Sequence, residues 1–251
     1  MAKTYYYLAN KFRKAQVLAT NPILKQYMPE TKLFDQKNLA DFVNKYPLIF
    51  GKPIVGTGGS GIIKITKESE RFIVQTDQLY KEANDQTELF NLLKKIMGER
   101  PYMIQQGIPL ITIQNRPLDF RVLVLRPKTN WEVMGIMGKW AAKNKIVTNH
   151  SRGGAPITLD KALKNSVNAT DQQINQMEKK LIQLGLEASK SLRRSYRNVR
   201  EVGMDVAIDN QLNTWILETN SRPNYQLFRS HRDKRLYGKI DRYIHLIRKI
   251  K

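Results

Sequence analysis

Residues 47–76, PLIFGKPIVGTGGSGIIKITKESERFIVQT, place strand-like runs on both sides of a loop that carries Gly56, Gly58, Gly59 and Gly61. Glycine lets backbone N–H groups come close to a ligand and adopt positive φ, so a loop of this composition can cradle phosphate. A P-loop, however, needs Gly-Lys-Ser/Thr opening a helix, and a dinucleotide fingerprint also leads into a helix. Here the sequel is the β-branched run IIKIT, so the loop joins two strands of a hairpin. The segment is a poor match to both parallel α/β nucleotide motifs and points instead to an α+β fold. Two readings of the loop stand open, an ordinary glycine-rich turn and a cover for phosphate. Lys52 lies in the strand just before it among apolar neighbours, which is easier to explain if its ammonium meets a phosphate.

The rest of the chain supports the α+β class. Residues 12–45 read as short helices and turns, with Leu39, Phe42 and Val43 at helical spacing. A helix is expected from about Asp85, where Asp85 and Glu88 form a capping-box pattern, and Gly98 and Pro101 stop it. Strands follow in YMIQQGI, DFRVLVLRP and WEVMGIMGKWAA, and then the polar turn TNHSRGGAP. Thr170 and Gln173 repeat the capping pattern ahead of a long helix striped by Ile174, Met177, Leu181 and Leu184. VGMDVAIDNQLNTWILETN then reads as a hairpin. No repeat or long linker separates the halves, so two lobes are expected.

The end of that hairpin carries the chemistry. A strand through Trp215, Ile216 and Leu217 puts Glu218 and Asn220 on one face, because side chains repeat with period two. One reading is a strand running into a polar turn at Pro223. The other is a Mg²⁺ site, since that ion takes hard oxygen ligands and commonly one or two carboxylates beside substrate phosphates. Arg121 in DFRVLV likewise has two readings, a partner for phosphate and an ion pair with Asp119.

With 43 basic and 22 acidic residues the net charge is +21, which implies an anionic partner without naming it. The denser stretches SKSLRRSYRNVR and HRDKRLYGKIDRYIHLIRKIK are read either as solvated helix faces or as binding surfaces. The absence of cysteine excludes disulfides, thiolate metal sites and a cysteine nucleophile. No apolar run approaches the roughly 20 residues of a membrane span, and no signal-peptide core is present, so an intracellular protein is expected.

Taken in order, Lys52 before a glycine hairpin, the strand YMIQQGI, Arg121 in DFRVLV, TNHSRGG, Asp205 in GMDVAID and LETN resemble the ATP-grasp superfamily, and within it the endospore coat-associated ATP-grasp family. Less generic stretches carry the same likeness: YMPETKLF, QQGIPL, IVTNHSRGG and LETNSRPNYQLF. The resemblance implies an α+β ATP-grasp fold, two lobes clasping ATP, without a separate N-terminal domain ahead of it. The expected organisation is an extension over 1–11, an N-lobe over 12–103, a C-lobe over 104–230 and a basic helix over 231–251.

It further implies that Lys52 holds the α- and β-phosphates while the N–H groups of Gly58, Gly59 and Gly61 close over the β- and γ-phosphates. Gln105 or Gln106 and the Ile108 backbone would read adenine. Arg121 and Lys139 would face phosphate, and Asp205, Glu218 and Asn220 would hold Mg²⁺. Asn149, Arg152, Gly153 and Gly154 match the family's polar loop near the γ-phosphate and the acceptor, with His150 as a bystander. The implied activity is an ATP- and Mg²⁺-dependent carboxylate-amine ligase working through an acyl phosphate on an acidic peptide or amino-acid-like substrate. It would act in the cytoplasm or in association with a spore. The alternatives are a polyanion- or nucleic-acid-binding protein, or a structural coat-type protein, on the same scaffold.

Overall fold

The computed structural model describes residues 8–56, 58–142 and 154–249. The described chain forms two compact units, one holding residues 8–13 and 29–108 and the other residues 14–28, 109–142 and 154–249.

The first unit is built on an antiparallel six-stranded sheet. Its strands are β1 (Thr31–Leu33), β2 (Leu48–Pro53), β3 (Ile63–Glu68), β4 (Arg71–Gln75), β5 (Tyr80–Ala83) and β6 (Tyr102–Gln106), in the order β1-β6-β2-β3-β4-β5. Two helices among the described residues are fixed by their N-caps. Asp35 accepts from Asn38 N at 2.7 Å ahead of Gln36–Lys45, and Asp85 accepts from Glu88 N at 2.8 Å ahead of Gln86–Met97, which ends at Gly98. Their apolar faces, Leu39, Phe42 and Val43 with Leu89, Leu93 and Met97, form one core with Ile49, Ile63, Ile65, Tyr102 and Ile104 of the sheet. Each such side chain removed from water contributes about 1.5–3 kcal/mol. Alternation puts Phe50 and Lys52 of β2, and Met103 and Gln105 of β6, on the opposite face.

The second unit carries a sheet in the order β10-β9-β8-β11-β12, from β8 (Arg116–Leu125), β9 (Glu132–Trp140), β10 (Ala155–Thr158), β11 (Glu201–Ile208) and β12 (Thr214–Asn220); the short β7 (Thr112–Ile113) pairs with β8. The helix Asp171–Ser195 starts at the expected capping box of Thr170 and Gln173 and crosses one face. A Cβ at its Gly185 would stand 2.9 Å from Val122 Cγ1, so the helix backbone lies directly on β8. On the other face Leu123, Leu125, Met134 and Met137 are covered by a 3-10 turn at Gln226–Ser230 and by the helix Lys234–Lys249, through Leu227, Phe228, Ile240, Ile244 and Ile247. Tyr237 and Tyr243 of the basic tail pack partly buried against this cluster, so they act as packing residues.

Residues 14–28 belong to the second unit, although the sequence reading placed them in the first lobe. Leu18 and Leu24 are buried, Asn21 Nδ2 donates to Ser191 Oγ at 2.9 Å, and Ile216 N donates to Tyr27 O at 2.7 Å. This segment extends the core across more than 160 positions of sequence, a pairing that local periodicity cannot reveal.

Candidate functional site

In the first unit, Lys52 and Gln105 are brought together on the sheet face opposite the helices. Phe50 lies opposite Gln105 and Lys52 opposite Met103, so the lysine and the glutamine sit on neighbouring strands facing the same way. Lys52 Nζ donates to Gln105 Oε1, and Gln105 Nε2 donates to Thr31 Oγ1 at 3.0 Å. Both side chains are buried, so the lysine is held on this face by its amide neighbour. Gln106 is used differently. Its Oε1 accepts from Glu30 N at 3.3 Å and its own N–H donates to Glu30 O at 2.8 Å, tying β6 to the segment before β1. Ile108 is buried just beyond it.

The glycine hairpin between β2 and β3 has positive φ, 68° at Gly58, 72° at Gly59 and 74° at Gly61, a backbone that an ordinary glycine turn and a phosphate cover would both use. Its base is anchored, since the Tyr102 hydroxyl donates to Gly61 O at 2.9 Å and receives Arg100 Nη2 at 3.2 Å. A Cβ at Gly61 would stand 2.8 Å from that hydroxyl and 2.9 Å from Pro53 Cγ, so both φ and space demand glycine there.

The second unit assembles the charged residues. Asp205 on β11 lies directly opposite Arg121 on β8 and directly opposite Glu218 on β12. Asn220 lies opposite Gly203, two residues along on the same face. A β-bulge at Leu217 supplies one extra residue between the Val206–Ile216 and Asp205–Glu218 pairs, and this is what brings Glu218 into register with Asp205. The hairpin itself is closed by Asp209, whose carboxylate accepts from Gln211 N, Asn213 N and Trp215 Nε1, so that acid is structural.

Four of these groups form one buried network. Arg121 Nε donates to Asp205 Oδ1 at 2.6 Å and Nη2 to Oδ2 at 3.0 Å, while Nη1 donates to Asn224 O at 3.0 Å. Lys139 Nζ lies 3.1 Å from Asp205 Oδ1 and 3.1 Å from Asp119 Oδ2. Two cations and two anions therefore alternate and balance. Burial alone would push the Asp205 carboxyl up, but Arg121 and Lys139 outweigh it and hold that carboxyl well below the usual carboxylate range. Burial likewise opposes the charge of Arg121, and Asp205 overcomes it, with Asp119 and Glu218 adding to the effect. The expected alternative of an Arg121–Asp119 pair is corrected here: Asp119 pairs with Lys139, and Arg121 with Asp205. The Asp119–Lys139 pairing and Gly203 are what sequence reasoning missed. A Cβ at Gly203 would lie 3.1 Å from Arg121 Cδ and 2.5 Å from Pro223 Cβ, so this glycine leaves the channel through which Arg121 reaches Asp205.

The donor set on this face suits a hard cation. Asp205, Glu218 and Asn220 supply oxygens from two adjacent strands, the chemistry that Mg²⁺ takes. The arginine and the lysine converge on Asp205 Oδ1, Arg121 Nη2 donates to Oδ2, and a carboxylate oxygen can accept twice. The residue types fit such an ion, while Asp205 is already engaged by Arg121 and Lys139. Asn149, His150, Arg152 and Gly153 lie outside the described residues; Gly154 is buried at the start of the segment leading into β10.

The first unit thus presents a buried lysine and a glycine hairpin, and the second an acidic and amide oxygen face with a buried arginine and lysine. The chain is 29% identical over 234 residues to the endospore coat-associated protein YheD of Bacillus subtilis (strain 168), covering 90% of this chain and 50% of that protein. It is 24% identical over 225 residues to the endospore coat-associated protein YheC of the same organism, covering 86% of this chain and 60% of that one. The chain thus spans about half the length of these curated relatives. The family model described as YheC/D like ATP-grasp matches residues 3–246, and the chain belongs to that ATP-grasp family.

Proposed function

We propose that the chain is an ATP- and Mg²⁺-dependent carboxylate-amine ligase. In this reaction class an oxygen of the substrate carboxylate bonds to the γ-phosphorus as ADP leaves. The amine nitrogen then bonds to the acyl carbon, losing a proton, as phosphate leaves. Phosphoryl transfer of this kind needs positioning and charge neutralisation more than a covalent protein group. The observation that carries the reading is the balanced Asp119–Lys139–Asp205–Arg121 network beside Glu218 and Asn220. It keeps an arginine and a lysine charged and buried next to a hard-oxygen donor set.

Lys52 supplies a fixed positive charge for the α- and β-phosphates, and Gln105 orients its ammonium. The N–H groups of Gly58, Gly59 and Gly61 face the β- and γ-phosphates. Arg121 and Lys139 meet the transferred phosphoryl group, and Asp205, Glu218 and Asn220 would hold Mg²⁺, which when bound neutralises charge on the phosphates. Asn149 and Arg152 act on the acceptor side. The net charge of +21 favours an acidic peptide or amino-acid-like substrate. The relatives' association with the endospore coat is extended to this chain as part of the same proposal, with the chemistry in the cytoplasm.

The test is a thermal-shift titration with Mg²⁺ and a non-hydrolysable ATP analogue on the native protein, Lys52→Ala and Glu218→Gln. Ligand at about 100 times its Kd adds roughly 2.7 kcal/mol. The native protein shifts and both variants lose most of the shift. A hydroxylamine trap across acidic substrates then yields a hydroxamate. Equal shifts in all three proteins overturn the assignment, and steep salt-dependent polyanion binding without turnover would favour the binding-protein reading.

A further inference from the structure

The basic stretch that ends the long helix plays no part in the site above. From Ala188 to Arg200 five residues are basic and none is acidic, and RPKTNW after β8 adds Arg126 and Lys128. The fold joins the two stretches at one end of the second unit's sheet, where Arg126 N donates to Arg200 O at 2.8 Å. Arg126 follows Arg121 by five residues along the strand, so this end lies roughly 17 Å from the charge network at about 3.3 Å per residue.

Three of the arginines are held in place by backbone carbonyls. Arg193 Nη1 donates to Val199 O at 3.2 Å and also to Arg197 O. Arg200 Nη1 donates to Arg126 O at 3.2 Å and Lys128 O at 2.9 Å, and Arg126 Nε donates to Thr129 O at 2.7 Å. Among the described residues none of the three forms an ion pair with a carboxylate. The nearest acid in sequence, Glu201, is engaged by Arg248 through two hydrogen bonds of 2.9 Å. The cluster is therefore uncompensated. Burial, and after it the fields of Arg126 and Arg200, lower the pKa of Arg193.

We propose that Arg126, Arg193 and Arg200 form a binding site for a phosphoryl group, separate from the nucleotide site. Three neighbouring guanidiniums, close enough for Arg126 and Arg200 to act on Arg193, carry three positive charges and several donors in forks held by backbone carbonyls. A phosphate monoester or free phosphate, with a charge near −2 and three acceptor oxygens, matches that set better than a singly charged carboxylate. Ordering cost is low, because the carbonyls already hold the side chains.

The experiment is isothermal titration at fixed ionic strength without divalent metal, on full chain carrying Lys52→Ala to silence the proposed nucleotide site. The probes are inorganic phosphate, phenyl phosphate and acetate. Both phosphates bind and acetate binds far more weakly. Arg200→Gln and Arg193→Gln each weaken phosphate at least about tenfold, and Arg193→Lys, which keeps charge but loses the fork, weakens it several-fold. Circular dichroism checks the fold of each variant, and Arg126→Lys gives a second route should Arg193→Gln unfold. Tighter binding of phenyl phosphate assigns the site to an ester carried on a larger molecule, and tighter binding of inorganic phosphate assigns it to the free ion. Either upholds the site. Equal affinity for acetate, unchanged phosphate affinity in folded Arg200→Gln, or an equal loss on neutralising Lys94 and Lys95 in the first unit overturns it.

Discussion

Replacing Asp205 with asparagine removes the carboxylate that Arg121 and Lys139 both contact, while leaving size and shape almost unchanged. The buried set then holds two cations and one anion, Asp119, where it held two of each. An asparagine oxygen can accept one of the Arg121 hydrogen bonds, but its amide nitrogen faces a donor. Breaking a buried pair by removing one partner costs about 3–5 kcal/mol, because the surviving charge has lost its compensation. For a cooperative unit of this size each kcal/mol lowers Tm by about 2–4 °C, so a drop of roughly 10 °C is expected. Melts followed by circular dichroism, without Mg²⁺ or nucleotide, isolate this term from ligand linkage. The control is the double variant Arg121→Met with Asp205→Leu. It removes one charge of each sign and leaves the Asp119–Lys139 pair at 3.1 Å, so it should recover most of the loss. A native-like Tm for Asp205→Asn, or a double variant as unstable as the two single changes added together, would refute the reasoning.

The same carboxylate sets an acid limit. Its folded pKa lies below its unfolded value, so its contribution is complete above the unfolded carboxylate pKa of about 3.9 and is lost as pH falls through the lower folded value. The urea midpoint difference between native protein and Asp205→Asn should hold from neutral pH down to about 4 and close only in stronger acid; closure between about pH 6 and 5 contradicts the assignment. Gly203→Ala crowds Pro223 and Arg121 from a backbone that carries no positive φ, so the cost is steric. Overpacking of this kind costs about 1–3 kcal/mol, read from the urea midpoint, and a native-like midpoint would show that the two side chains can retreat freely.

Much of this was legible because it is local. Asp85 and Thr170 announce their helices through side chains three residues from the N–H groups they cap. Glycines followed by IIKIT announce a hairpin and not a helix. The shared face of Glu218 and Asn220 survives because the bulge at Leu217 lies upstream of both. What could not be read is partner choice across strands. Asp119 is two residues from Arg121 in sequence, on the same face, yet Asp205, 84 residues away, lies directly opposite and is closer. Nor does anything near Lys52 name Gln105 as its partner, since that contact depends on how β2 and β6 pair. The same holds for residues 14–28, whose leucines look like any short helical segment until the core that accepts them is seen.

That early segment also bears on how such a chain can change over generations. The second unit is not one uninterrupted stretch of gene, because residues 14–28 are encoded far upstream of the rest. A recombination breakpoint near residue 108 would deliver a second unit without Leu18, Leu24 or Asn21. Ser191 would lose its amide partner, and the Ile216 N–H would lose the Tyr27 carbonyl in the very strand that ends in Glu218 and Asn220. Segment exchange at that junction therefore costs stability in this architecture, whereas a point substitution or a loop insertion leaves those contacts in place.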